Sequence, residues 1–152
     1  TNTYYHNFVT HLLEAAFQRE VYKLIDNGEG FDGDRLCEIK KAVLKKFWGD
    51  AVEIDDDAAL TWMRQSHYYM GLYPYTYSAS LTISTQAYLK IKEQGQPAID
   101  AWLKFLKFDN CPAPIEAAKI AGVDITTDEP LKNTIKFLDE TVDRIAELTK
   151  EL

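Results

Sequence analysis

The chain has 152 residues, with 17 lysines and arginines against 24 aspartates and glutamates, a net charge of −7, and 46% hydrophobic residues. That composition excludes the disordered and collagen-like classes and predicts one globular domain, residues 1–152, with a sizeable core. The acidic excess is spread over both halves, so nothing favours nucleic acid as a partner, and no apolar run approaches the roughly 18–20 residues that cross a bilayer. Cys37 and Cys111 are too few for a disulfide framework and have no metal-ligand spacing, which points to a reducing compartment.

Glycine, proline and acidic punctuation cut the chain into helical lengths, and strand-like alternation is almost absent, so the fold is expected to be all-α. A long helix from about Tyr4 to Asp26 turns Phe8, Leu12, Ala15, Ala16, Val21, Leu24 and Ile25 inward and breaks at Asn27-Gly28-Glu29-Gly30. The next carries Leu36, Ile39, Val43, Leu44 and Phe47 on one stripe, with Asp32 or Asp34 as its cap and Gly49 as its stop. Asp55-Asp56-Asp57 precedes a short apolar stretch and reads as a helix start, since negative charge there favours the positive end of the dipole.

From His67 to Tyr77 the helical stripe disappears, and Gly71 and Pro74 predict an irregular loop. Helices then follow from about Ser78 to Gln94, with Leu81, Tyr88 and Leu89 inward, and from Pro97 to the Asn110-Cys111-Pro112 stop, with a buried stripe at Ile99, Trp102, Leu103, Phe105 and Leu106. Pro114 to Ala121 is a short helix. The last begins around Thr127 to Pro130 and lines up Leu131, Ile135, Leu138, Val142, Ile145 and Leu148 on one face, its other face being charged.

No metal centre is legible in this sequence. His6 and His11 are five apart, which does not put them on one helical face, and His11 is followed by leucine rather than the glutamate of a zinc helix. The acidic stretch from Asp26 to Asp34 lacks the ligand positions of a calcium loop. Nucleophile elbows, phosphate loops and dinucleotide fingerprints are absent as well. What stands out is tyrosine: six of nine fall between Tyr68 and Tyr88, and His67-Tyr68-Tyr69-Met70-Gly71-Leu72-Tyr73-Pro74-Tyr75-Thr76-Tyr77 holds five phenols and an imidazole. One or two such phenols are ordinary core packing. Five in a segment with Gly and Pro suggest a cleft wall, where O–H and N–H donors can stabilise a developing oxyanion or bind a ligand.

The stretch His67 to Ala79 resembles the loop that follows the zinc site in oligoendopeptidase F, a branch of the M3 zinc metallopeptidases. Tyr73, Tyr75 and Tyr77 match that family's alternating tyrosines. Phe17-Gln18-Arg19-Glu20-Val21, Phe47-Trp48-Gly49-Asp50-Ala51-Val52, Phe105-Leu106-Lys107 and Ala121-Gly122-Val123-Asp124-Ile125-Thr126 resemble further segments in the same order. The resemblance implies a helical-bundle C-terminal part of a larger cytoplasmic peptidase that cleaves short peptides. It also implies a zinc cofactor whose HExxH ligands lie outside this chain, with no metal in these residues and no activity for them alone.

Within that resemblance Tyr77 and His67 are the catalytic candidates, as stabilisers of the tetrahedral oxyanion, and Tyr73, Tyr75 and Tyr69 the substrate-binding ones. A departure is Phe108-Asp109-Asn110-Cys111, where the family has a glycine-rich turn, so no peptide-gripping role is carried over to it. A competing reading is a stand-alone helical module that binds a peptide or protein without catalysis. No membrane partner is expected, and an exposed apolar face left by a missing part would favour self-association.

Overall fold

The computed structural model describes residues 2–108 and 113–150, so the expected stop at Asn110-Cys111-Pro112 lies outside the described residues. Among the described residues every regular element is helical: α1 (Asn2–Tyr4), a π-helical segment (Tyr5–Thr10), α2 (His11–Asp26), α3 (Gly33–Trp48) and α4 (Asp56–Ala59) come first. Two 3₁₀ segments (Leu60–Arg64 and Ser66–Tyr69) lead to α5 (Tyr75–Gln94), α6 (Gln96–Leu106), α7 (Pro114–Ile120) and α8 (Glu129–Thr149). The all-α expectation holds. No described helix is long and apolar enough to cross a membrane.

The chain divides into two compact units, Thr1–Ala79 and Ser80–Leu152, with the boundary inside α5. In the first unit Phe17 and Leu24 of α2 and Ile39 of α3 form the core, with Val21, Leu36, Val43, Trp62 and Tyr68 packed around them. Of the residues expected to point inward, Phe8 and Leu24 are buried and Val21 packs on the core, but two are not covered. Leu12 and Ile25 are exposed, while Leu13 and Phe17 are buried. The π-helical segment explains the offset, because i→i+5 bonding fits one more residue into the turn. The face that Phe8 begins is therefore continued by Leu13, five residues on, rather than by Leu12.

Local start signals behave as the chemistry dictates. Asp32 caps α3, its Oδ1 accepting from the Arg35 amide at 2.9 Å, and Asp55 caps α4, accepting from the Ala58 amide at 2.7 Å. Each satisfies an amide that has no partner inside its helix. Gly49 ends α3 at φ 55°, a conformation that side chains with a Cβ resist. Phe47, placed on the inward stripe by its spacing, is exposed.

The second unit buries small and polar side chains more than large ones. Ala87, Ala118, Ala121 and Val123 are buried together with Thr85, Gln86 and Thr134. Gln86 Nε2 donates to the Pro130 carbonyl at 3.0 Å and to Thr134 Oγ1 at 3.1 Å, which ties α5 to the start of α8. Tyr88 is exposed instead of inward, its ring 5.8 Å from that of Phe137. The predicted buried stripe of α6 is only half-buried at Ile99, Trp102 and Phe105, and Leu103 and Leu106 are exposed.

On α8 the apolar stripe has the expected register but remains in solvent at Leu131, Ile135, Val142, Ile145 and Leu148, with Ile135 at 52% exposure. Periodicity fixes which residues share a face, and says nothing of whether a neighbour covers it. Replacing Asp32 by Ala removes the α3 cap and should lower the unfolding free energy in urea by about 1 kcal/mol, while Asp34→Ala should change it by much less.

Candidate functional site

The sequence His11-Leu12-Leu13-Glu14-Ala15-Ala16-Phe17-Gln18 places three polar side chains at i, i+3 and i+7 of α2, one stripe in an otherwise apolar stretch of the helix. All three are buried, His11 at 1% exposure and Glu14 at 4%. A buried carboxylate requires partners. Glu14 Oε2 accepts from His11 Nδ1 at 2.6 Å, and Glu14 Oε1 accepts from Gln65 Nε2 at 2.5 Å.

The same stripe receives the segment around His67. Gln18 Nε2 donates to the Tyr68 carbonyl at 3.2 Å, and Lys40 Nζ of α3 donates to the Tyr68 hydroxyl at 2.8 Å. With Gln65 on Glu14, these contacts hold the second 3₁₀ segment on both sides of His67. The expected loop is therefore shorter than the sequence suggests. His67 to Tyr69 are 3₁₀-helical, and Tyr75 and Tyr77 lie in the first turn of α5. Only 70–74 are irregular, and the chain reverses there through Gly71 at φ 47° and Leu72 at φ 45°. Positive φ at a leucine is strained backbone, held here between two fixed segments.

Tyr77 Oη lies 3.3 Å from His67 Nε2, and the Tyr77 ring stacks on His11 with centroids 4.1 Å apart. Tyr73 is 5.5 Å, ring to ring, from Tyr77 and 5.4 Å from His67. His67, Tyr73 and Tyr77 are thus brought together. Tyr69 and Tyr75 stand apart at 75% and 53% exposure, their phenols in solvent. Tyr68 is half-buried and packs edge-on against Phe17 at 5.0 Å, a core role.

Glu14, Gln65 and Lys40 join the site without a motif that marks them, and His11, which lacks the context of a zinc helix, is a buried member of the same cluster. The i, i+3, i+7 stripe is the available signal for His11 and Glu14. The His11 ring lies 4.9 Å from that of His6 and 5.0 Å from that of His67. Beside the cluster, a cleft of about 530 Å³ is lined by His6, Glu14, Lys40, Arg64, Gln65 and Tyr68, among others. A larger groove of about 980 Å³ between α2 and α3 is lined by none of the cluster's side chains.

Electrostatics follow from burial and from Glu14. Burial pulls the Lys40 ammonium down to about 8, partly opposed by the negative Glu14. Burial, aided by Glu14, raises the Tyr68 phenol far above its ordinary value. The Tyr77 phenol is held above its usual range first by its hydrogen bond with Tyr73, then by burial and by the charge of Tyr73 and Glu14. Tyr77 therefore keeps its hydrogen, as a donor must.

His11, Glu14 and His67 place one ligand-type atom each within 4.8 Å of one another. Their arrangement does not fit a zinc centre. His11 Nδ1 and Glu14 Oε2 are 2.6 Å apart, whereas two neighbours on a tetrahedral zinc with bonds of ~2.0–2.1 Å stand about 3.3 Å apart. Both carboxylate oxygens already accept hydrogen bonds. The cluster is a hydrogen-bonded acid, imidazole and phenol set.

These features define an all-helical protein whose polar cluster presents phenol and imidazole donors at the start of a helix. Its curated relatives, most of them named oligoendopeptidase F, cover about nine-tenths of the chain, and the chain fits a C-terminal portion of them. Oligopeptidase PepF of Bacillus subtilis is 31% identical over 134 residues, 88% of this chain and 20% of that protein. The oligoendopeptidase F homolog of Borreliella burgdorferi is 27% identical over 141 residues, 93% of this chain and 24% of that protein. The crystal structure of oligoendopeptidase-F from Enterococcus faecium has the same helical fold, with a TM-score of 0.87 at 24% identity over 94% of this chain and 27% of that one. No family model matches the chain. The chain spans about a fifth to a quarter of the length of these curated relatives.

A lysine whose folded value lies near 8 binds its proton less tightly than in the unfolded chain, where the value is about 10.5. Its burial cost is full below pH 8 and fades as pH rises toward 10.5, so stability from this group increases across that window. Relative to Lys40→Met, the wild type should gain about 2 kcal/mol in urea unfolding between pH 7 and pH 9.5. A pH-independent difference between the two proteins contradicts a buried, titrating Lys40.

Proposed function

We propose that the chain is the C-terminal, substrate-binding and transition-state-stabilising part of a zinc-dependent oligoendopeptidase that hydrolyses peptide bonds in short peptides. The observation that carries this reading is the Tyr77 and His67 pair, 3.3 Å apart, within a segment that resembles the family's oxyanion-binding loop. The homologues named oligoendopeptidase F favour the same reading.

Tyr77 O–H and His67 N–H supply neutral donors for the oxyanion that forms at the scissile carbonyl. Tyr73, in ring contact with both, borders that position, and the exposed phenols of Tyr69 and Tyr75 are available to more distant parts of a peptide. When bound, zinc supplies the activated water, and in this reading its ligands lie outside the 152 residues, which are inactive by themselves. Reducing, cytoplasmic conditions agree with the two cysteines. Cys37 is a free thiol that accepts from Trp62 Nε1 at 3.4 Å.

Phenol donors that act only once charge has developed lower the barrier without tightening substrate binding. Tyr77→Phe in the full-length protein should depress kcat by about 10²–10³-fold with KM little changed. Unaltered turnover of a short peptide substrate removes the assignment.

A further inference from the structure

Two groups decide where the His67 ring proton resides, and they are chemically unlike. Gln65 Nε2 lies 3.4 Å from His67 Nδ1 and 2.5 Å from Glu14 Oε1. An ionised carboxylate only accepts, so the Gln65 atom beside Glu14 is the amide nitrogen, and its second hydrogen is left for Nδ1 of His67. The rival at Nδ1 is an acceptor, Glu14 Oε2, but it is farther away at 3.8 Å and already takes a hydrogen bond from His11 at 2.6 Å.

The nearer neighbour of Nδ1 is therefore a donor, which requires a lone pair there. A neutral imidazole has one N–H, and that hydrogen then belongs to Nε2. We infer that Gln65, clamped on the buried carboxylate of Glu14, is a positioning residue that fixes His67 as the tautomer carrying its proton on Nε2. Gln65 belongs to neither the tyrosine alternation nor the histidine position of the loop motif, so nothing in the motif assigns it.

The consequence reaches Tyr77. With the proton on Nε2, His67 donates toward the Tyr77 oxygen at 3.3 Å, or toward an oxyanion beside it, and Tyr77 retains its own hydrogen for the substrate. The other tautomer makes Nε2 an acceptor that draws the Tyr77 O–H inward, and two donors are lost together. The inference rests on the oxyanion role proposed for His67 and Tyr77, yet the tautomer can be read without turnover.

The test uses the full-length protein with ¹⁵N-labelled histidine, the His67 signals being assigned by their loss in His67→Ala. Wild type should show a protonated Nε2 and an unprotonated Nδ1 at neutral pH. Gln65→Glu puts an oxygen where the amide nitrogen stood and should move the proton to Nδ1. On a short peptide it should lower kcat by about 10–100-fold, by analogy with carboxylates that orient metal-bound histidines, and leave KM within about twofold.

Wild-type His67 protonated on Nδ1, or on both nitrogens, overturns the inference, and so does a Gln65→Glu protein with the wild-type tautomer. If Gln65→Glu does not fold, Gln65→Met removes the donor without adding an acceptor, and an unchanged tautomer there is equally fatal. Full turnover in Tyr77→Phe with the proton on Nε2 defeats the oxyanion reading alone. Depressed turnover in Tyr77→Phe with the proton on Nδ1 defeats only the role of Gln65.

Discussion

One buried carboxylate organises the first unit. Glu14 is 4% exposed, and an unpaired charge at that depth is untenable. His11, one turn earlier on the same helix, and Gln65, fifty-one residues later, each give a hydrogen bond to one of its two oxygens. The second of these contacts has a structural consequence out of proportion to its size. It fixes the backbone two residues before His67, while Gln18 and Lys40 fix Tyr68 on the other side. His67 is thereby bracketed by anchored neighbours. Tyr77 is then located by its stacking on His11 and by the neighbouring Ser78 hydroxyl, which donates to the Phe8 carbonyl at 3.0 Å.

The π-helical turn ahead of α2 places an extra residue between Phe8 and that helix, so Leu13 rather than Leu12 continues the face of Phe8. π-Helical turns recur at functional sites because they shift register without breaking the helix. Within α2 itself, the apolar Leu13 and Phe17 and the polar His11, Glu14 and Gln18 are buried side by side.

The parts legible in the sequence are those that local chemistry decides. Asp32 and Asp55 cap the helices they precede, Gly49 ends one, and the absence of strand periodicity gives the fold class. The clustering of His67, Tyr73 and Tyr77 was legible through the resemblance of the loop to a known family. The contribution of Gln65 was not, because a glutamine before a serine carries no local mark of its partner, and the polar stripe that marks Glu14 does not say which groups will meet it. The start of α5 was misplaced for a related reason. Pro74 signals a loop in the sequence, whereas it immediately precedes the first turn of α5, where a missing N–H costs nothing. On α8 the stripe of Leu131, Ile135, Val142, Ile145 and Leu148 has the predicted spacing, but burial depends on what lies opposite, which spacing does not contain.

Glu14 also acts at a distance, through charge. A fixed anion in a medium of low polarisability favours every neighbouring proton, whichever group bears it. It partly restores the proton affinity that burial takes from Lys40, and it adds to the forces that keep Tyr68 and Tyr77 protonated. Phenolate at Tyr77 would repel an oxyanion, so a site that works by O–H donation needs its phenols held neutral. The same carboxylate that orients the imidazole through Gln65 disfavours the loss of the phenolic proton. Glu14 therefore contributes to both geometry and protonation state, behind the Tyr73 hydrogen bond at Tyr77 and behind burial at Lys40 and Tyr68, and it lies outside the motif that first draws attention to the loop.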